Sequence, residues 1–375
     1  MTEYYIGLMS GTSMDGLDAV LVDFSQQRPQ FIAHHHEPLP LDLAQQLHQL
    51  CQLNGDQELH NYAQADRDFG RYCASVVKHL LQQQQLTAKQ IVAIGSHGQT
   101  VRHQPFGQPS YTLQLGDPNS IASLTGIAVV ADFRRKDIAL GGQGAPLVPA
   151  FHQAVFADAN HSRVILNLGG IANITVLPGA SEQVSGFDTG PANTLLDQWH
   201  SYCHPLATER FDRDGAFAAQ GQVQSDLLAR LLSAEFFLRA APKSTGRDDF
   251  NLAWLQQYLR GHEALADVQA TLTELTAVSV ANAIAGLSSN ASRPLEQVFV
   301  CGGGVYNQTL MKALQRHLPD QQLLSTAQLG VQPQHVEAMA FAWLAYCFIH
   351  RLPANLPAVT GASRRAVLGG LYLAE

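Results

Sequence analysis

Residues 4–24, YYIGLMSGTSMDGLDAVLVDF, hold two short apolar runs on either side of a turn-forming stretch, and their reading decides the fold. Residues 4–9 and 17–24 read as strands. The second sets Leu17, Ala19 and Leu21 against Asp18, Val20 and Val22, with Val22 blurring the polar face. Residues 10–16 are too few for a helix and rich in turn formers, so the two strands form a β-hairpin. The same order returns in residues 164–177, where two apolar strands flank Gly169 and Gly170. Two halves that each open with strand, glycine-containing turn and strand, then alternate helices with strands, indicate α/β units with mixed sheets flanked by helices.

Outward from these hairpins, helical spacing appears at Leu43, Leu47 and Leu50 and again at Phe69, Tyr72, Val76 and Leu80. Residues 91–95, 111–115 and 127–131 read as strands, the last ending at Asp132. In the second half, 186–188 is a strand end and 193–202 a helix. Residues 297–301 form an apolar strand broken by Gly302, Gly303 and Gly304, followed by helices at 306–318 and 335–348. The Gly- and Pro-rich stretch 134–149 marks a junction. It gives a first domain at 1–132 and a second at 133–375, the second carrying a helical insertion near 205–275. The C-terminal helix is able to pack back onto the first domain.

Bulk properties narrow the function. A chain of 375 residues exceeds one ordinary core, and 46% hydrophobic with 8% aromatic residues excludes a disordered chain. Net charge is −8, from 23 basic and 31 acidic residues, which lacks the basic stripe of a nucleic-acid binder. The five scattered cysteines contain no C-x-x-C, arguing against a disulfide framework and against a cysteine zinc site. The N-terminus has no signal-peptide pattern, and no uninterrupted apolar run reaches membrane-spanning length. A cytoplasmic protein without a membrane partner is expected.

Several motifs bear on chemistry, each with a plainer alternative. Gly11, Thr12, Ser13, Met14, Asp15 and Gly16 make a turn whose successive N–H groups can cradle phosphate, with hydroxyls from Thr12 and Ser13 and a metal-holding carboxylate from Asp15. An ordinary hairpin turn is the equal alternative, since Asp-Gly is a common turn pair. It is no Walker loop, because Leu17 follows Gly16 and the chain enters a strand. Gly169 and Gly170 allow close backbone approach to a ligand, with Asn173 placed to orient phosphate or water. Gly302, Gly303 and Gly304 suit either approach to a flat adenine or a flexible strand-to-helix connection.

Asp188, in GFDTGP (186–191), ends a strand just before a helix, where a carboxylate accepts a proton from an attacking hydroxyl or caps the helix. Asp132 and the adjacent Arg134 share that ambiguity. His97 and Thr100, in SHGQT (96–100), fit a substrate contact or a structural turn. Glu337, at the start of an apolar helix, is either a cleft carboxylate or a dipole-favoured first-turn residue. Residues 242–250, PKSTGRDDF, line a site or cover a surface. His34, His35 and His36 lack a patterned set of further ligands and read as a solvated loop.

Taken together, GLMSGTSMDGLDAVLVDF, IGSHGQTVRH, LGDPNSIA, VVADFRRKDIALGGQGAPLVPAFH, LNLGGIANITVL, GFDTGPAN, PKSTGRDDFN, VCGGGVYN and HVEAMAFAWLA resemble the anhydro-N-acetylmuramic acid kinases in order and spacing, from end to end. The resemblance implies the fold of the acetate-kinase, hexokinase, actin and heat-shock-ATPase class, two ribonuclease-H-like domains with an active-site cleft between them. It implies that water opens 1,6-anhydro-N-acetylmuramic acid while ATP, with Mg²⁺, phosphorylates O6, in recycling of bacterial cell wall. The ATP-binding string maps onto Gly11 through Leu17 to Asp18, the catalytic base onto Asp188, and a homodimer is implied. Ala192 departs from the family's glycine in GFDTGPGN. The competing readings are a kinase for another sugar or a carboxylate on the same fold, and a nucleotide-dependent binding protein.

Overall fold

The computed structural model describes residues 2–11, 14–26, 28–52, 57–179, 183–241, 243–288 and 294–374. The chain divides into two compact units, Met1–Val155 with His335–Glu375, and Phe156–Gln334. Their sheets are wired alike. In the first unit, β1 (Tyr4–Met9), β2 (Gly16–Asp23) and β3 (Gln30–Pro38) form an antiparallel meander, and β4 (Ile91–Ser96) lies parallel to β1. β5 (Gln99–Gln104) and β6 (Tyr111–Leu115) form a separate two-stranded ribbon, and β7 (Val129–Ala131) lies parallel to β4. The main sheet therefore runs β3-β2-β1-β4-β7, with Gly370–Tyr372 added antiparallel on the β7 edge.

In the second unit, β8 (Arg163–Leu168), β9 (Ile171–Leu177) and β10 (Ser185–Pro191) repeat the antiparallel meander. β11 (Gln297–Cys301) and β12 (Gln322–Ser325) follow in parallel, giving β10-β9-β8-β11-β12. Counted from its own first strand, each sheet has the order 3-2-1-4-5. This is the ribonuclease-H-like arrangement that the family resemblance implies, and the chain is of the α/β class with mixed sheets flanked by helices, as the two matching hairpins indicate.

Helix packing follows from the apolar pattern. The helix Val336–Ile349 is apolar on nearly every side, because it lies buried against β1, β2 and β4. It comes so close that a Cβ on Gly7 would meet the Ala338 carbonyl oxygen at 1.9 Å, and one on Gly95 the Phe341 oxygen at 2.0 Å. No side chain fits either place. The apolar residues of Leu41–Cys51 and Glu58–Gln83 join a core of Ile6, Leu8, Leu17, Ala19 and Leu21. In the second unit, Leu265–Ser288 packs on β9 and β10, and its N-terminal half shares a separate core with Leu195, Trp199, Leu227, Leu231 and Leu255. It is long and apolar enough by composition to suit a membrane span, although interspersed Thr, Gln and Asn break any uninterrupted apolar run. Two-thirds of its most apolar stretch is buried inside the protein (67%), the place of a core helix.

The first unit continues through Val155, beyond the junction read at residue 132. The reason is the buried Asp137 carboxylate, which accepts hydrogen bonds from Asn355 Nδ2 (2.8 Å), Thr360 Oγ1 (2.9 Å) and the Gly144 N–H (2.9 Å). These stitch the Gly/Pro-rich stretch to residues 355–363. A second difference is at His34, His35 and His36, which lie in β3 and not in a loop. Pairing with β2 over residues 30–38 overrides the polar composition.

Candidate active site

In the second unit, the β8–β9 turn anchors a helix. The Gly169 oxygen accepts from the Asn193 N–H at 3.1 Å, and the Gly170 oxygen from Ala192 (3.0 Å) and Thr194 (3.1 Å). The turn is thereby tied to the first residues of Asn193–Cys203. One step in from the turn, ladder pairing aligns three polar residues across neighbouring strands. Asn167 of β8 faces Asn173 of β9, which faces Asp188 of β10. Directly opposed residues share a face of the sheet, so both amides stand on the carboxylate's side. The register then shifts between Asp188 and Gly190, a bulge of the kind that re-aims side chains beside active sites.

Asp188 is held from the other side by the polar loop at 243–250. Its N–H donates to the Lys243 oxygen at 3.0 Å, and its Oδ2 accepts from the Thr245 N–H at 2.9 Å. The carboxylate retains some solvent access, yet protein surrounds most of it. Burial pushes its pKa up to about 7, the Thr245 hydrogen bond opposing. A carboxylate so poised is matched to proton transfer near neutrality. Thr245 escaped the sequence reading as an individual residue because a backbone N–H leaves no mark in residue identity.

Gly302, Gly303 and Gly304 sit where β11 ends. Gly302 has φ +80°, and a Cβ there would stand 2.4 Å from Asn167 Oδ1; one on Gly304 would stand 2.6 Å from Leu168 Cβ. Only at Gly303 is the nearest neighbour a relaxed 3.7 Å away, at Asn193 Nδ2. Two of the three glycines thus let the connection close on β8 and brace Asn167. Ala192 is fully buried and belongs to the same apolar core as Ala172, Ile174 and Ala277.

In the first unit, Thr12 and Ser13 fall outside the described residues. On either side of them, the Met14 N–H donates to the Gly11 oxygen at 3.2 Å, and Met14 has φ 54°. Ser10 Oγ lies 3.0 Å from the Gly16 oxygen and 2.7 Å from Gln99 Oε1, while Gln99 Nε2 donates to the Gly11 oxygen at 3.3 Å. Gln99 is wholly buried and holds the Ser10–Gly11 end of the turn, which the Ser10 hydroxyl links to Gly16 at the other end. The sequence reading passed over it between His97 and Thr100. Asp15 is exposed at the turn, a hard oxygen donor of the kind Mg²⁺ takes. Leu17 points into the core, and Gly16 passes so close to β3 that a Cβ would meet the His36 ring at 2.4 Å.

Asp18 opposes Met9 on β1 and His36 on β3. Its Oδ1 lies 2.8 Å from His34 Nε2 and 3.1 Å from His36 Nδ1. Burial alone would raise its pKa, but the two imidazoles outweigh that and hold it at about 2. The same bond raises the His36 pKa, against burial.

Three of the four proposed substrate contacts gather in the first unit. His97 Nε2 accepts from Arg134 Nε (3.2 Å) and Nη2 (2.9 Å), and Arg134 Nη1 donates to the Gly144 oxygen at 2.8 Å. Burial, with the Arg134 charge, drives the His97 pKa far down, so the imidazole is neutral. Burial draws Arg134 itself down to about 10, against the negative charges of Glu337 and Asp137 nearby. Thr100 lies apart, its Oγ1 accepting from Gln114 Nε2 at 3.1 Å within the β5–β6 ribbon. Asp132 is paired with Arg135 at 2.7 Å, on the surface.

The family model and the curated relatives agree on one family. The model of the anhydro-N-acetylmuramic acid kinases matches residues 3–374. A protein named anhydro-N-acetylmuramic acid kinase from Shewanella frigidimarina (strain NCIMB 400) is 56% identical over 375 residues, covering 100% of this chain and 99% of its own. One of the same name from Shewanella pealeana (strain ATCC 700345 / ANG-SQ1) is 54% identical over 99% of both chains. Among solved structures, (R)-2-hydroxyglutaryl-CoA dehydratase component A of Acidaminococcus fermentans aligns at TM-score 0.47 and 12% identity, over 91% of this chain and 96% of its own. That likeness is too slight to bear on chemistry.

Proposed function

The chain belongs to the anhydro-N-acetylmuramic acid kinase family, and on that premise we propose that it opens 1,6-anhydro-N-acetylmuramic acid with water while ATP phosphorylates O6. The products are N-acetylmuramic acid 6-phosphate and ADP, in the recycling of cell-wall amino sugar. The observation that carries the proposal is Asp188, a strand-end carboxylate fixed by the Thr245 N–H with its pKa pushed up to about 7.

Glycoside hydrolysis ordinarily needs two carboxyl groups, one to protonate the leaving oxygen and one to activate water. Here O6 leaves C1 and takes the γ-phosphoryl group, so no acid has to protonate it. One base suffices. Asp188 removes a proton from water as the water oxygen bonds to C1; the C1–O6 electron pair passes to O6; O6 bonds to phosphorus, and the electrons of the broken phosphorus–oxygen bond leave with ADP. Asn167 and Asn173, in the same row, orient the water. The first unit's turn, from Gly11 through Asp18, holds the triphosphate on backbone N–H groups, braced by Gln99. Asp15 would hold Mg²⁺, which when bound offsets the triphosphate charge. Gly169, Gly170, Gly302, Gly303 and Gly304 are the glycines of the second unit assigned to the nucleotide, with Gly302 and Gly304 also closing the connection on β8. His97, Arg134 and Glu337 read the sugar, Arg134 through a charge kept by Glu337. A cytoplasmic homodimer completes the proposal.

Incubation with Mg-ATP and the anhydro sugar in heavy-oxygen water tests it. The expected product is a sugar phosphate with one heavy oxygen at the anomeric carbon. Phosphorylation without water incorporation would leave an ordinary sugar kinase, and no sugar product would overturn the reading altogether.

A further inference from the structure

β3 is an edge strand with two differently used faces. His34 and His36 reach Asp18, whereas the alternate residues His35 and Glu37 meet the helix Glu58–Gln83. On that helix His79 and Gln83 stand one turn apart and therefore on one side. His79 Nδ1 lies 2.9 Å and His35 Nε2 3.3 Å from the same Glu37 oxygen, Oε2. The three donor atoms are all within 4.8 Å of one another.

We propose that His35, Glu37 and His79 form a binding site for a divalent transition metal of the zinc class, separate from the catalytic machinery. Bonds of ~2.0–2.1 Å in a tetrahedron put neighbouring ligand atoms ~3.3 Å apart. The two histidine-to-carboxylate spacings, 2.9 and 3.3 Å, match this, and the two imidazole nitrogens, within 4.8 Å of each other, close on the ion when it binds. Two neutral imidazoles and one carboxylate suit a borderline dication, while imidazole nitrogen disfavours magnesium. An outer partner is also in place. Gln83 Nε2 is 3.1 Å from His35 Nδ1, and rotation of the amide presents its oxygen to the Nδ1–H of a metal-bound ring. The Tyr72 hydroxyl donates to the Glu37 oxygen of the main chain at 2.6 Å, fixing the strand beneath the carboxylate. His79 is half exposed (51%), so the ion enters from solvent and water completes its coordination. A metal here staples the edge strand to the long helix. Sequence reading missed it because the third ligand comes from a helix, 42 residues beyond Glu37.

The test strips metal from the full chain with a chelator and titrates Zn²⁺ against a chromophoric competitor. The expected result is one equivalent more in the wild type than in His79→Ala or Glu37→Gln, with unchanged circular dichroism in both variants. Gln83→Ala is expected to weaken that equivalent about tenfold. The thermal midpoint should rise with Zn²⁺ in the wild type and stay put in His79→Ala. Equal stoichiometry and affinity in the wild type and both ligand variants would overturn the proposal.

Discussion

The rows beside the first turn of each sheet make an instructive pair: Met9, Asp18 and His36 in the first unit, and Asn167, Asn173 and Asp188 in the second. Each holds one carboxylate. Asp18 faces imidazoles and is held at about 2, a permanent anion. Asp188 faces an amide, receives one main-chain N–H and is pushed up to about 7. Two sheets of the same wiring thus give one carboxylate a structural post and leave the other poised to move a proton. What sets them apart is what opposes burial, two imidazoles at Asp18 and a single main-chain N–H at Asp188, and not the strand order.

The comparison breaks most visibly at Asp188. Asp188→Asn is expected to lower turnover about a thousandfold while leaving ATP affinity near wild type and raising the urea midpoint at neutral pH and above, where the wild type holds a buried charge. Near-normal turnover would remove it as the base. Next comes pH: with the base ionised only above about 7, turnover should fall about tenfold per unit below that, ~100-fold by pH 5. A profile flat from pH 5 to 8 would put the essential base elsewhere.

A packing test sharpens the second row. Gly302→Ala drives a methyl toward Asn167 Oδ1 at a positive φ, and should destabilise by about 2 kcal/mol or more in chemical denaturation. An unchanged midpoint would mean that the glycine bend does not brace the row.

The smallest effect concerns the anion. Asp18→Asn weakens the hold on His34 and His36, a loss of about 1 kcal/mol given the side chain's partial exposure (35%). The pH windows have opposite signs. Asp18 is depressed below its unfolded 3.8, so its contribution is present above 3.8 and lost as pH falls toward 2. Asp188 is raised above 3.8, so its contribution is present below 3.8 and lost as pH rises through 7. Denaturation midpoints measured across both windows in the two Asn variants should lose the corresponding slope in each case.

The fold was largely legible because both hairpins are local: alternating apolar residues and glycine turns declare them within about twenty residues. The helix Val336–Ile349 was equally plain as a helix. Asp188 stood out through its motif and its place at a strand end. Its setting did not, since pairing with Asn173 and the Thr245 hydrogen bond depend on register and on a distant loop. Gln99 was hidden for a similar reason, its importance lying in burial against the Ser10 and Gly11 turn. The three histidines misled because composition in a polar triplet outweighed the alternation that strand pairing later imposed. The junction moved because the hydrogen bonds of Asp137 reach residues far along the chain.

The close seating of the helix Val336–Ile349 on Gly7 and Gly95 also bears on the order in which a ribosome can complete the molecule. Residues 156–334 form a continuous unit, available to fold once that stretch has emerged. The first sheet emerges earlier but waits for its covering helix, so one apolar face stays open while the whole second unit is being made. The part of the chain synthesised first is finished last, and during that interval it is the part in need of a chaperone.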